Sequence, residues 1–154
     1  MTSVDFYVLS EGPENALELL ACKLAEKALK GGHKIYIQAT DAEQASQLNE
    51  MLWSYKADSF LPHQLASASD EESSQDSDSN PEDNCPICIG HLEAPEQYEE
   101  ILINLSQKIP AAYARFERLL ELVPPQQQAR ETLRANYSHY RDRGYPIKTH
   151  EISL

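Results

Sequence analysis

No apolar run in this chain approaches the ~20 residues that a membrane-spanning helix needs. Cysteine is scarce and odd in number, with Cys22, Cys85 and Cys88 alone. Cys22 sits within a helical pattern, so a disulfide framework is excluded and a reduced cytosolic protein is expected. Glycine is scarce too, at five residues. Its one pair, Gly31-Gly32, follows a helical pattern and precedes a strand-like one. A phosphate-cradling loop needs the reverse order of strand, glycine-rich turn and helix. After the first strand-like segment the chain offers only Ser10-Glu11-Gly12-Pro13, with one Gly, no Lys and an acid. No Gly-x-Ser-x-Gly elbow is present. His33, His63, His91, His139 and His150 are scattered, and no two show the spacing of a helical zinc-protease motif. The first residues lack the basic-then-apolar order of a secretory signal. No internal repeat is visible.

Cys85-Pro86-Ile87-Cys88 with His91 has the spacing of half a zinc site, but zinc takes four ligands and no second pair exists. A redox pair belongs at a helix start, whereas Ile87 and Ile89 mark the segment as a strand. Neither a metal nor another cofactor is expected.

Basic residues are few, 13 against 25 acidic ones, for a formal net charge of -12. They are also unevenly placed. Residues 108–154 hold Lys108, Arg115, Arg118, Arg130, Arg134, Arg141, Arg143 and Lys148 against five acids, Glu117, Glu121, Glu131, Asp142 and Glu151. A basic surface on an acidic protein suits a small anionic partner. A long nucleic acid, whose affinity rests on phosphate neutralisation, is repelled by the remainder.

The 154 residues fit one domain, 1–154. Val4–Leu9 reads as a buried strand and Asn15–Lys30 as a helix stopped by Gly31-Gly32. His33–Ala39 reads as a second strand, and Thr40 or Asp41 caps a helix through Trp53. Strand, helix, strand, helix predicts a parallel sheet with right-handed crossovers. Residues 66–84 carry seven acids, no base and no large apolar side chain, and are expected to be a disordered surface loop. Pro86–Gly90 and Ile101–Leu105 are further candidate strands. A helix is predicted over Pro110–Leu122, broken by Val123-Pro124-Pro125. A last helix runs from Gln126 to Arg143 and ends at Gly144.

On that last helix Ala129, Leu133, Tyr137 and Tyr140 make one face, flanked by Arg130, Arg134 and Arg141. Two guanidiniums one turn apart can grip a carboxylate or phosphate through paired hydrogen bonds, with Tyr137 as an aromatic wall. The same spacing also describes an ordinary solvated basic face. A second constellation, from Trp53 through Phe60, Pro62 and His63, puts large aromatics beside a helix end. It reads equally as a binding anchor or as a cap on the core.

In order along the chain, Phe6-Tyr7-Val8-Leu9, Gly31-Gly32, Lys34-Ile35-Tyr36-Ile37, Leu52-Trp53, Ser59-Phe60-Leu61-Pro62-His63, Leu122-Val123-Pro124, Arg134, Tyr137, Tyr140-Arg141 and Gly144-Tyr145 resemble the chi-subunit family of bacterial DNA polymerase III. The likeness runs nearly end to end and leaves out residues 66–84. It implies a three-layer α/β/α fold with a mostly parallel, mixed central sheet of nucleotide-binding-like topology and no phosphate loop. It implies a non-catalytic accessory subunit of the clamp loader in the bacterial cytoplasm. Two partners follow: the psi subunit, and the acidic C-terminal tail of single-stranded DNA-binding protein. The matching tail-binding positions are Val123, Arg130, Arg134 and Tyr137. A third basic position falls on neutral Ser138, for which Arg141 is the nearest substitute. The psi-binding positions are Trp53, Phe60, Pro62 and His63. The other function class left open is a nucleotide- or small-molecule-binding α/β enzyme.

Overall fold

A computed structural model describes residues 2–11, 15–54, 63–65, 86–92, 94–95, 98–106, 108–110 and 112–153. In chain order these form β1 (Ser3–Glu11), α1 (Ala16–Lys30), β2 (Ile35–Gln38), α2 (Ala42–Ser54), β3 (His63–Leu65), β4 (Ile87–Gly90), β5 (Ile101–Asn104), a single 3-10 turn (Tyr113–Arg115), β6 (Arg118–Val123), α3 (Gln127–Asp142) and β7 (Ile147–Ser153). The strands make one sheet in the order β3-β4-β2-β5-β6-β1-β7. Every pairing in it is parallel, so the sheet is more uniform than the mixed one expected.

Period-two alternation sorts the two faces. Ile35, Ile37, Ile87, Ile89, Ile101 and Ile103 point to one side, where α1 and α2 cover them with Leu20, Ala21, Ala25, Leu48 and Leu52. The opposite side carries Phe6, Tyr36, Cys88, Leu102, Leu119 and Val123, packed under Ala129 and Tyr140 of α3. That is the expected three-layer α/β/α arrangement.

Local signals set the helix ends. Asp41 Oδ1 accepts the Gln44 amide at 2.8 Å, and Gln44 Oε1 accepts the Thr40 amide at 2.7 Å, which closes the start of α2. Gly32, at φ 84°, and Gly144, at φ 83°, end α1 and α3 in the left-handed conformation that glycine tolerates best. Beyond Gly144, the Tyr145 amide returns to the Tyr140 carbonyl at 3.2 Å and the Gly144 amide to that of Arg141 at 2.9 Å.

Two sequence expectations are corrected. Pro110–Leu122 is not a helix: the 3-10 turn at Tyr113–Arg115 leads into strand β6. Leu119-Leu120-Glu121-Leu122-Val123 is buried on both faces. A strand between two parallel neighbours reads as an unbroken apolar run, and in a short window that cannot be told from a buried helix. The second correction is β7, which follows Gly144 and to which the sequence reading gave no element. Its alternation is masked by polar residues because it is an edge strand, paired to β1 alone. The proposed acidic loop 66–84 lies outside the described residues.

Candidate functional site

The polypeptide enters α3 from Pro124-Pro125, and the N-cap residue, Gln126, makes no side-chain capping bond. The first turn carries no acid to complement the helix dipole, and Arg130 follows at once. A helix optimised for its own stability would do the opposite. The amino-terminal end of α3 thus concentrates positive potential, from its unpaired amides and from guanidinium groups together.

Steps of four, three and four residues place Arg130, Arg134, Tyr137 and Arg141 in one stripe on α3. All three arginines are exposed, and Tyr137 is half-buried. Arg141 Nε lies 3.5 Å from Asp142 Oδ1 on the surface. Among the described residues Arg130 and Arg134 have no ion pair. The Tyr137 ring rests 5.6 Å from that of Phe6, which fixes it as a wall of the stripe. Val123, at 4% exposure, closes β6 beneath the helix. It lines a crevice with Phe6, Glu121, Ala129, Thr132, Leu133 and Asn136 whose volume of about 10 Å³ admits no more than one water. An apolar side chain could reach Val123 only if Leu133 and its neighbours moved. Ser138, half-buried and neutral, stands one turn beyond Arg134.

Not all of the basic surplus is available to a partner. Arg115 Nη2 donates to the carbonyl oxygens of Ala94, Pro95 and Tyr98 at 3.3, 2.8 and 3.2 Å. Arg118 Nη2 donates to Asp5 Oδ2 at 2.9 Å, and the other oxygen of Asp5 lies 3.3 Å from His150 Nε2. These two arginines tie the fold together, and the free cationic surface narrows to α3 and its flanks.

Of the second constellation, Trp53 falls in the last turn of α2, and His63 opens β3 opposite Ile87. The side chains of both, and Phe60 and Pro62 entirely, lie outside the described residues. The elements that carry Trp53 and His63 adjoin each other at the β3 edge of the sheet.

Cys88 is a core residue of β4, and Cys22 is buried in α1, where burial and then Glu18 push its thiol up to about 12. Cys85 lies outside the described residues. No cluster of three metal-ligating side chains occurs among the described residues. A crevice of about 250 Å³ opens where β2 and β4 send their chains to opposite faces of the sheet, lined by Thr40, His91, Ser106 and Lys108 among others. Open α/β sheets take their ligands at such a position. Among the described residues no helix is long and apolar enough to cross a membrane.

Sequence reasoning did not foresee the buried polar groups, of which Glu121 is the most consequential for α3. Glu121, on β6, is 2% exposed. Its Oε2 accepts the Tyr140 hydroxyl at 2.6 Å and its Oε1 accepts Asn104 Nδ2 at 3.0 Å. Burial raises the carboxyl to about 7, against the pull of these two hydrogen bonds. The signal was a single charge inside an apolar run, hidden by the helical reading of that run.

Comparison with known proteins bears on this arrangement. Residues 1–148 match the family described as DNA polymerase III chi subunit, HolC. DNA polymerase III subunit chi of Pseudomonas aeruginosa is 35% identical over 152 residues, covering 99% of this chain and 98% of that protein. The subunits of the same name from Haemophilus influenzae and Escherichia coli are each 27% identical, with 97% of both chains covered. The crystal structure of T4 UvsW superposes with a TM-score of 0.69 at 7% identity. That match covers 99% of this chain but 42% of the other, and it speaks for the fold alone. A family match over nearly the whole length, on a three-layer sheet with the landmark residues in order, is decisive: the chain belongs to the DNA polymerase III chi subunit family, an accessory subunit of the replication machinery.

Proposed function

We propose that this chain is a non-catalytic, cytoplasmic single-domain bridge within the bacterial replicase. It joins the psi subunit of the clamp loader to the acidic C-terminal tail of single-stranded DNA-binding protein. The observation that carries the tail site is Arg130 and Arg134, exposed one turn apart beside Tyr137, on a helix whose first turn holds no acid. Arg134 pairs with the tail carboxylate, Arg130 with its acidic side chains, and Tyr137 walls the apolar residue. Arg141 extends the cationic stripe where Ser138 is neutral. Exposed pairs contribute roughly 0–1 kcal/mol each, and an aromatic anchor about 2 kcal/mol more. The expected contact is of roughly micromolar strength, about -8 kcal/mol.

The psi surface is assigned to Trp53, Phe60, Pro62 and His63, at the end of α2 and the start of β3. β3 is four strands away from β6, and α2 and α3 cover opposite faces of the sheet, which leaves room for two partners at once. Titration of a tail peptide into the Arg134→Ala protein tests the reading. Unchanged affinity, or affinity that ignores salt, overturns the tail site.

A further inference from the structure

α3 is held unevenly. Its amino-terminal end has no side-chain cap and overlies the small crevice between Val123 and Leu133. Its carboxyl-terminal end is fastened three ways: by the backbone bonds beyond Gly144, by rings, and by one hydroxyl. The Tyr140 ring stands 6.0 Å from Phe6, 5.2 Å from Tyr113 and 6.4 Å from Tyr145. Its hydroxyl donates to Glu121 at 2.6 Å. Glu121 is held in turn by Asn104 Nδ2, which also donates to the Lys108 carbonyl at 2.8 Å. Asn104 Oδ1 accepts the Ser106 amide at 3.0 Å and the Ser106 hydroxyl at 2.7 Å.

We propose that Glu121 is a positioning residue for the tail-peptide site. Through Tyr140 above it and Asn104 beside it, Glu121 fixes the angular setting of α3 on the sheet, and so the line along which Arg130, Arg134 and Tyr137 present themselves. The inference rests on the tail-binding reading given above.

Packing alone does not account for a carboxyl here. A buried, unpaired acid is costly, and well-packed apolar side chains of like volume serve stability as well or better. What a short directional hydrogen bond adds is a defined rotation and register, which apolar contact specifies poorly. The rotation matters because the arginine stripe adjoins the buried edge of α3. Tyr137 is the next residue after buried Asn136 and is itself half-buried. A small roll of the helix would bury or release its ring.

The groups facing Glu121 make the device responsive to protons. Among the described residues it meets the Tyr140 hydroxyl from α3, the neutral Asn104 amide from β5, the Phe6 ring from β1 and, through Asn104, the Lys108 carbonyl from the loop after β5. No cation is among them. Around Tyr140 stand the rings of Tyr113, His139 and Tyr145. Near neutral pH the carboxyl is therefore divided between its two forms, and only the ionised form makes a charge-assisted bond to Tyr140.

The test measures binding of a synthetic tail peptide to the full chain at about pH 6 and about pH 8. The variants are Glu121→Gln, Glu121→Ala, Tyr140→Phe and Arg134→Ala, with amide NMR spectra to verify that each is folded. Expected are losses of about 3-fold or more for Tyr140→Phe and Glu121→Ala. Glu121→Gln, which keeps the shape and the acceptor, recovers most of that loss and flattens the pH profile relative to wild type. Every other titratable group is common to both proteins, so the difference between the two profiles reports Glu121. Wild-type affinity in folded Glu121→Ala and Tyr140→Phe overturns the positioning role, as does an unaltered pH profile in Glu121→Gln. Arg134→Ala separates the failures. Loss there with no effect at Glu121 and Tyr140 sinks this inference alone, and no loss at Arg134 sinks the tail site itself.

Discussion

Asp5 and Arg118 are joined across β1 and β6 by a 2.9 Å charge-assisted hydrogen bond, one partner nearly buried and the other half-exposed. On the far side of β1, His150 approaches the second oxygen of Asp5, and its ring stacks on Tyr7 at 4.7 Å. One carboxylate thus links three adjacent parallel strands. Arg118→Ala strands the Asp5 carboxylate with His150 as its remaining side-chain partner. Discounted for the exposure of Arg118, a loss of about 2 kcal/mol is expected in urea unfolding, with tail affinity unchanged. A loss below a few tenths of a kcal/mol would mean that water replaces the guanidinium at no cost.

Glu121 predicts an unusual pH dependence of stability. Its folded value of about 7 stands above the ordinary 4.5, so the native state holds a proton that the unfolded chain releases. Its contribution is fully present below about pH 4.5, declines as pH rises, and is gone above about pH 7, for a total on the order of 3 kcal/mol. Glu121→Gln should unfold with a flatter profile between those limits. Parallel curves for the two proteins would show that the carboxyl is not desolvated as described.

For the cationic stripe, Arg134→Ala should weaken the tail peptide by roughly 10-fold, and Arg130→Ala by less. Ser138→Arg should tighten it by about 2-fold at low salt and by nothing at high salt, since it restores charge beside the stripe without adding a pocket. Calorimetry at two salt concentrations distinguishes these outcomes.

Gly144 stands at φ 83° with open space around the position of a Cβ. Gly144→Ala therefore meets no clash and suffers only the backbone penalty, about 1–2 kcal/mol. The loss should appear in thermal unfolding. Because Gly144 closes the end of α3, the same variant should also loosen amide-exchange protection at Tyr145.

Psi docking has its own check. Trp53→Ala and Phe60→Ala should each reduce co-purification with psi while leaving tail affinity intact. Full co-purification of the double variant would exclude that surface.

Much of the fold was legible because the apolar periods are clean. The alternating isoleucines of β2, β4 and β5 and the four-residue steps of α1 and α3 each admit one reading. β6 did not, because Leu119-Leu120-Glu121-Leu122-Val123 satisfies a buried strand and a short helix alike, and only its pairing with β1 and β5 decides. β7 escaped because an edge strand carries polar residues on its open side. The arginine stripe of α3 was visible in the spacing. Its selectivity was not, since spacing does not tell which cations are spent inside the fold, as Arg115 and Arg118 are. Glu121 was invisible for the same reason as its strand.

The strand order has a mechanical meaning. β3, next to the end of α2, and β6, beneath α3, are four steps apart in the sheet. At about 4.8 Å per step that is on the order of 20 Å of hydrogen-bonded, nearly inextensible material, with the two helices on opposite sides of it. Under the proposed function the sheet acts as a stiff spacer. A partner held at one end is presented at a set distance and orientation from the other, so binding at the two ends adds up through local concentration and not through a change of shape.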